Sequence, residues 1–156
     1  MMTVEHLNFS YPCGRQILKD ISFTAESGSF VAILGNNGAG KSTLLKCFDH
    51  ILSPQSGSVL VDGTDLLALP LGELAKQVAF VAQGASGARL TVYDMLLLGR
   101  KPYIKWGIGQ RDRAIVDDTL RQMGLEAFSM RYLDQLSGGE QQKVLLARAL
   151  VQEPKV

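Results

Sequence analysis

The chain has 156 residues, of which 46% are apolar, and its formal net charge is +1. The length fits one domain with a hydrophobic core, and the near-neutral charge argues against a surface built to attract nucleic acid or anionic lipid. Cys13 and Cys47 have neither the spacing of a zinc motif nor that of a disulfide framework, so a reducing cytoplasm is the expected setting.

The first third of the chain predicts strands followed by a strand–loop–helix unit. Two segments with alternating apolar residues predict half-buried strands. The continuous apolar run 30–34 predicts a strand that is buried on both faces. After a glycine-rich loop, apolar residues at helical spacing from Leu44 to Leu52 predict a helix. The first of these strands has Leu7, Phe9 and Tyr11 on one face. The second has Ile17, Ile21 and Phe23 on one face.

The rest of the chain predicts a hairpin, one more strand and a set of helices. Residues 59–61 end at the turn signal Asp62-Gly63, and residues 78–82 form an apolar strand. Residues 84–136 predict a mostly helical insert, in which Thr91 and Asp94 cap the first helix and Gly124 stops the second. The last helix runs from Ser137 toward Leu150, and Pro154 ends it.

The glycine-rich loop fits the phosphate-binding pattern G-x-x-x-x-G-K-[ST]. Its glycines let successive N–H groups point at phosphate oxygens, Lys41 reaches the β- and γ-phosphates, and the Ser42 hydroxyl coordinates Mg²⁺. A chance glycine loop with an exposed lysine is the alternative, but the position between a strand and a helix favours phosphate binding. The predicted nucleotide-binding residues here are Gly35, Asn36, Asn37, Gly38, Ala39, Gly40, Lys41, Ser42 and Thr43.

Leu136-Ser137-Gly138-Gly139-Glu140 begins the last predicted helix. Ser137 and Glu140 form a capping box, which is a sufficient structural explanation of those two residues. Paired glycines are not needed for a cap and cost helix stability of about 1 kcal/mol each. They also expose backbone N–H groups that bind anions, so we expect the segment both to cap the helix and to receive a phosphate.

Two further residues are ambiguous on their own. Gln83 follows the predicted strand 78–82, and a glutamine in that position is usually a solvated strand end. Tyr11 lies near the end of a predicted strand, where a tyrosine is usually a packing residue.

The order of Tyr11, the loop 35–42, Gln83 and the LSGGE segment resembles an ABC-transporter ATPase, and the resemblance covers the whole chain. It implies a P-loop α/β fold with an N-terminal antiparallel β portion and a helical subdomain. It also implies that Tyr11 stacks on the adenine of ATP and that Gln83 lies near Mg²⁺ and the attacking water. Gln83 and Lys41 would then be catalytic residues. Ser42 and Gln83 would bind the metal ion.

The same resemblance implies that Ser137, Gly138, Gly139 and Glu140 are a signature that contacts ATP held by a second, identical subunit. Glu140 departs from the commonest family residue, which is glutamine. The implied subdivision is a β portion and P-loop core in residues 1–83, a helical subdomain in residues 84–136, and a signature helix with the return to the core in residues 137–156.

The insert is similar to that of importers for iron–siderophore, haem and vitamin B12. The similarity rests on Thr91-Val92-Tyr93-Asp94 and on Gly99-Arg100-Lys101-Pro102-Tyr103. The N-terminus has no signal peptide pattern, and no apolar stretch reaches the roughly 20 residues of a membrane span. The implied partners are therefore transmembrane permease subunits and, indirectly, a substrate-binding protein, at the cytoplasmic face of the membrane. No nucleic acid is expected as a partner.

In the family, a strand that ends in Asp-Glu follows the signature helix, and this chain reaches Val156 where that strand would begin. Asp62 lies in a predicted turn and precedes Gln83 in the sequence. We therefore do not identify it with the aspartate of that family strand. We therefore expect an incomplete, marginally stable domain that binds nucleotide but hardly hydrolyses it. The alternatives to a transporter subunit are a soluble ABC-type ATPase without a transport role and a non-catalytic nucleotide-binding fragment.

Overall fold

The computed structural model describes residues 1–82 and 89–156. The chain divides into two compact units. The first comprises residues 1–78 and Lys155, and the second comprises residues 79–154 and Val156.

The first unit is built on a four-stranded antiparallel sheet with the strand order β2-β1-β3-β4. The strands are β1 (Met2–Ser10), β2 (Gln16–Ala25), β3 (Ser56–Val61) and the short β4 (Thr64–Asp65). Helix α1 (Lys41–Phe48) packs against β2, and the one-turn helix α2 is Leu71–Leu74. The antiparallel β portion expected for the N-terminal part is thus confirmed.

A β-bulge in β1 sets which residues face the core of this unit. Val4 pairs with Phe23 and Leu7 with Ile21, so two residues of β1 between these pairs oppose one residue of β2. His6 takes up the extra residue with a φ of 48°. Because of this extra residue, Val4 and Leu7 both face the core although they are three positions apart.

The hydrophobic core of the first unit joins the sheet to α1 and α2. Burying these side chains supplies the main favourable term for folding. The fully or largely buried apolar residues are Met2, Val4, Leu7, Phe9, Leu18, Leu44, Cys47, Phe48, Val59, Val61, Leu66, Leu74 and Val78.

The prediction of a doubly buried strand over 30–34 is wrong for this structure. The run is in no strand, and Phe30 and Leu34 are 96% and 89% exposed. A strand buried on both faces needs paired neighbours and covering layers, and no described residue of the first unit pairs with this run. The strand expected over 78–82 is likewise absent from the sheet, although Val78 itself is buried.

The hairpin signal at Asp62-Gly63 is confirmed. Asp62 and Gly63 have φ values of 49° and 78° and connect β3 to β4. The Asp62 carboxylate accepts a hydrogen bond of 2.8 Å from the N-terminal ammonium of Met1, and it lies 3.5 Å from the Lys155 ammonium. This turn residue is therefore engaged in ion pairs at the surface.

The second unit is helical, as the insert predicts. Its helices are α3 (Val92–Gly99), α4 (Gln110–Gln122) and α5 (Gly138–Leu150). The Thr91 hydroxyl accepts a hydrogen bond from the Asp94 amide at 3.1 Å, and Gly124 ends the α4 region with a φ of 59°. Both expected helix boundaries are confirmed. The core of this unit consists of Val92, Met95, Leu96, Val116, Leu120, Leu125, Leu133, Leu136, Val144, Ala147 and Val151.

Among the described residues, no helix has the length and apolar character that crossing a membrane requires.

Candidate nucleotide-binding site

The loop of residues 35–42 curls between the run 30–34 and helix α1, and two of its glycines are structurally required. Gly38 and Gly40 have φ values of 82° and 95°, a region that residues with a side chain rarely adopt. A Cβ atom on Gly40 would lie 2.7 Å from Cγ2 of Ile17 in β2. The loop therefore lies directly on β2, and a glycine is needed at position 40 for both backbone angle and space.

The Lys41 side chain folds back across this loop. Its Nζ atom donates hydrogen bonds to the carbonyl oxygens of Gly35 at 2.7 Å and Asn36 at 2.8 Å. The ammonium group is thus held inside the curve of the loop. A cation in this position is suited to bind the phosphates that the loop's N–H groups would face.

The start of α1 provides a second set of hydrogen-bond donors. The first intrahelical bond joins the Leu44 amide to the Gly40 carbonyl at 2.8 Å. The amides of Lys41, Ser42 and Thr43 precede it and so have no acceptor within the helix. With the exposed Ser42 hydroxyl on the same turn, the residues present fit a triphosphate with Mg²⁺.

Tyr11 lies beside this helix terminus. Its hydroxyl is 3.2 Å from Oγ1 of Thr43, and its ring packs edge-on against Phe9 with 5.0 Å between the centroids. The side chain is 36% exposed, so part of the ring faces solvent. The structure thus brings Tyr11 close to the start of α1, which follows the loop of residues 35–42, although the two are far apart in sequence.

The predicted signature begins helix α5 in the second unit, and the expected capping box is confirmed. The Ser137 amide and hydroxyl donate to Oε2 of Glu140 at 2.8 Å and 2.6 Å, and the Ser137 hydroxyl also accepts from the Glu140 amide at 3.4 Å. These bonds hold the pKa of the Glu140 carboxyl below its ordinary value, and the nearby Arg131 guanidinium lowers it further. Glu140 therefore stays ionised at neutral pH.

Gly138 and Gly139 serve no purpose in the packing of the described chain. A Cβ atom on either residue would meet no described atom within 4 Å, and neither has a left-handed φ. Alanine would also form a helix more readily than glycine at these positions. Among the described residues, the space above the first turn of α5 is therefore open at both glycines.

Gln83, predicted to serve both catalysis and the metal, lies outside the described residues. The structure also shows one cluster that the sequence does not reveal. Arg100 is only 2% exposed and lies between the carboxylates of Asp112 and Glu153. The sequence places Arg100 in the Gly-Arg-Lys-Pro-Tyr segment after an apolar helix, and this does not identify its distant partners.

Comparison with known proteins identifies the family of the chain. Residues 18–156 match the ABC transporter family. An ABC transporter ATP-binding protein of Methanocaldococcus jannaschii is 50% identical over 156 residues, which are 100% of this chain and 61% of that protein. A phosphonates import ATP-binding protein of Nitratidesulfovibrio vulgaris is 41% identical over 99% of this chain and 62% of its own length. A cobalamin import ATP-binding protein of Halobacterium salinarum is 40% identical over 92% of this chain and 36% of its own length.

Solved structures agree with this match. The cbiO1 protein of Clostridium perfringens, part of an ABC transporter complex, superimposes with a TM-score of 0.82 at 32% identity, over 98% of this chain and 62% of that one. A dimeric bacterial ABC transporter cassette superimposes with a TM-score of 0.81 at 30% identity. The match covers 99% of this chain and 71% of that cassette. The chain thus spans about three fifths of the length of the relatives that match it most fully.

Proposed function

Because the chain belongs to the ABC transporter family, whose cassettes have the α/β P-loop fold, we propose that it binds Mg-ATP and couples ATP binding and hydrolysis to import across a membrane. The observation that carries this proposal is the loop of residues 35–42. Its ammonium group, glycine conformations and free helix terminus converge on one place. No other group of described residues combines these three features.

In this proposal each part of the first unit has one task. The loop amides and Lys41 hold the β- and γ-phosphates, and Ser42 holds Mg²⁺, which neutralises charge on the phosphates when it is bound. Tyr11, next to Thr43, supports the adenine ring by stacking. By its resemblance to the family, Gln83 orients the attacking water.

The second nucleotide contact comes from another copy of the chain. The open space above Gly138 and Gly139 supports a signature that receives the γ-phosphate of ATP held by the partner subunit. The likeness to a dimeric cassette structure supports the same arrangement. ATP would then lie between two subunits, and its hydrolysis would allow them to separate.

Replacing Lys41 with alanine is expected to weaken ATP binding by about 1.5–3 kcal/mol, because a charge-assisted hydrogen bond to phosphate is lost. This corresponds to a Kd increased about 10- to 150-fold. Titration with a fluorescent ATP analogue measures it. Lys46→Ala is the matched control, since Lys46 lies in the last turn of the same helix. Equal Kd values for wild type and Lys41→Ala would contradict the proposed site.

The helical unit is proposed to dock on a transmembrane permease subunit. Trp106, between the helices α3 and α4, is fully exposed, and Ile108 nearby is 42% exposed. A tryptophan is a common anchor of protein interfaces because it buries a large rigid surface. The names of the import relatives support a membrane partner of this kind.

Trp106→Ser is expected to weaken binding to permease-containing vesicles by about 2 kcal/mol, or roughly 30-fold, as the loss of an interface anchor does. Co-sedimentation with vesicles that carry the permease subunits measures this, and vesicles without permease give the background. Met130→Ser is the matched control, because Met130 is an exposed apolar residue of the same unit at 76%. An equal loss in both variants would argue against a specific anchor at Trp106.

The cargo is proposed to be an iron–siderophore complex, haem or cobalamin, and the protein is proposed to work at the cytoplasmic face of the membrane. The support is the similarity of residues 91–94 and 99–103 to that importer group and the cobalamin import relative. The phosphonates import relative is the competing indication. Uptake of radiolabelled iron chelate, cobalamin and phosphonate by cells with and without the transporter separates them. Uptake of phosphonate alone would contradict the proposed cargo.

A further inference from the structure

Arg100 follows helix α3 and lies in the interior of the second unit. Its Nε atom donates to Oδ1 of Asp112 at 3.1 Å, at the start of α4. Its Nη1 atom donates to Oε2 of Glu153 and to the carbonyl oxygen of Val151, both at 2.7 Å. Since Val151 is the C-cap residue of α5, this one guanidinium joins α3 and α4 to the C-terminal end of α5.

Two neighbouring residues strengthen the same connection. The Tyr103 ring lies 4.1 Å from the Arg100 guanidinium, and its hydroxyl donates to the Gln152 carbonyl at 3.0 Å. A Cβ atom on Gly99 would overlap the backbone oxygen of Arg148, so α3 and α5 touch closely at this point. The Gly-Arg-Lys-Pro-Tyr segment is therefore directed at α5.

A buried arginine is costly unless its charge and its donors are matched. Here two carboxylates, one backbone carbonyl and one aromatic face meet the guanidinium. The planar fork of an arginine can satisfy several acceptors at fixed angles, and a lysine in the same place cannot. The hydrogen bonds of Arg100 therefore fix the orientation of the end of α5 as well as its distance from α3 and α4. A simple packing contact would not fix the orientation.

We propose that Arg100, Tyr103, Asp112 and Glu153, here called the arginine clasp, position the signature. The clasp holds the C-terminal end of α5, and the first turn of the same helix carries the signature residues Ser137 to Glu140. At about 1.5 Å per residue, the 13 residues of α5 form a rod about 20 Å long. A rotation or shift at the clasped end therefore displaces the signature at the other end.

Arg100 is in this view a positioning residue, and its role rests on the proposed contact between the signature and the nucleotide of a second subunit. A purely stabilising role makes a different prediction. It requires that loss of the clasp loosen the whole helical unit, whereas positioning requires a change at the signature while the core helices keep their structure.

The first test uses Arg100→Lys, which keeps the positive charge and removes the fork, in the purified chain. The amide NMR signals of Gly138 and Gly139 report on the signature, and hydrogen exchange of the amides of Val116 and Leu120 reports on the core. We expect both glycine signals to move while exchange in α4 stays within about twofold of wild type. Arg121→Lys is the control, because Arg121 forms an exposed ion pair with Asp118.

The second test measures ATP-driven dimerisation by analytical ultracentrifugation. We expect Arg100→Lys to raise the dimer Kd at least tenfold while its Kd for a fluorescent ATP analogue stays at the wild-type value. If wild type itself forms no dimer with ATP, the proposed role of the signature is wrong. The NMR signals of Gly138 and Gly139 then still test whether the arginine clasp positions the start of α5. The inference is wrong if the NMR signals of Gly138 and Gly139 do not move in Arg100→Lys. It is also wrong if amide hydrogen exchange accelerates equally throughout the second unit. Should Arg100→Lys not fold, Tyr103→Phe is judged by the same criteria, since it keeps the ring beside the guanidinium and removes the hydroxyl that donates to the Gln152 carbonyl.

Discussion

Gly57→Ala is expected to lower the free energy of unfolding of the first unit by about 2–5 kcal/mol. Gly57 in β3 has a φ of 97°, where a residue with a side chain costs about 1–2 kcal/mol. An added Cβ would also lie 2.6 Å from three backbone atoms of the bulge in β1, and such overpacking costs about 1–3 kcal/mol more. The three atoms are the carbonyl oxygens of Glu5 and His6 and Cα of Leu7.

Urea denaturation followed by circular dichroism measures this change, and Gly63→Ala is the matched control. Gly63 has a φ of 78°, but a Cβ there would meet nothing within 4 Å among the described residues. The control therefore carries the backbone strain without the overlap, and we expect it to lose only about 1–2 kcal/mol. If both variants lose the same amount, the close approach of β3 to the bulge contributes nothing to stability.

The loss at Gly57 is also expected to reach the nucleotide site. Strand β1 carries Phe9, whose ring supports Tyr11 against Thr43. A shift of β1 away from β3 would move this support. Under conditions where Gly57→Ala is still folded, we expect a weaker affinity for the fluorescent ATP analogue than in Gly63→Ala.

Residues 1–156 are expected to bind Mg-ATP and to release phosphate about 10²- to 10⁴-fold more slowly than a version with a catalytic carboxylate. A positioned base contributes roughly that factor to proton transfer. The candidate acid with the most suggestive sequence, Asp62, is instead held in a turn by the Met1 ammonium and Lys155. Positioning and charge neutralisation by the loop do not by themselves accept the proton of the attacking water.

The comparison needs a chimera in which Val156 is followed by the part of the Methanocaldococcus jannaschii relative that lies beyond the matched segment. Phosphate release at saturating Mg-ATP is measured for both proteins, with the Kd for the fluorescent analogue measured in parallel. Lys41→Ala in the chimera is the control and should reduce its turnover. Equal turnover of the chain and the chimera would show that an acidic residue within residues 1–156 accepts the proton of the attacking water.

The features that the sequence predicted correctly are local ones. The N-cap at Thr91, the capping box at Ser137 and the turn at Asp62-Gly63 each depend on residues no more than three positions apart. The backbone geometry of a few consecutive residues decides such features, so they can be predicted without knowing the fold. The prediction of a phosphate site in the loop of residues 35–42 rests on a local pattern of the same kind.

Only the tertiary structure decided the features that join distant parts of the chain. The bulge at His6 requires Gly57, the loop requires Gly40 to lie on Ile17, and Tyr11 reaches Thr43. The strand predicted over 30–34 failed for a related reason, since an apolar run becomes a buried strand only where other strands pair with it. Arg100 and Glu153 are 53 positions apart, and their bond exists because α3 and α5 pack together. Such contacts depend on how the elements pack, and no local pattern of residues specifies that packing.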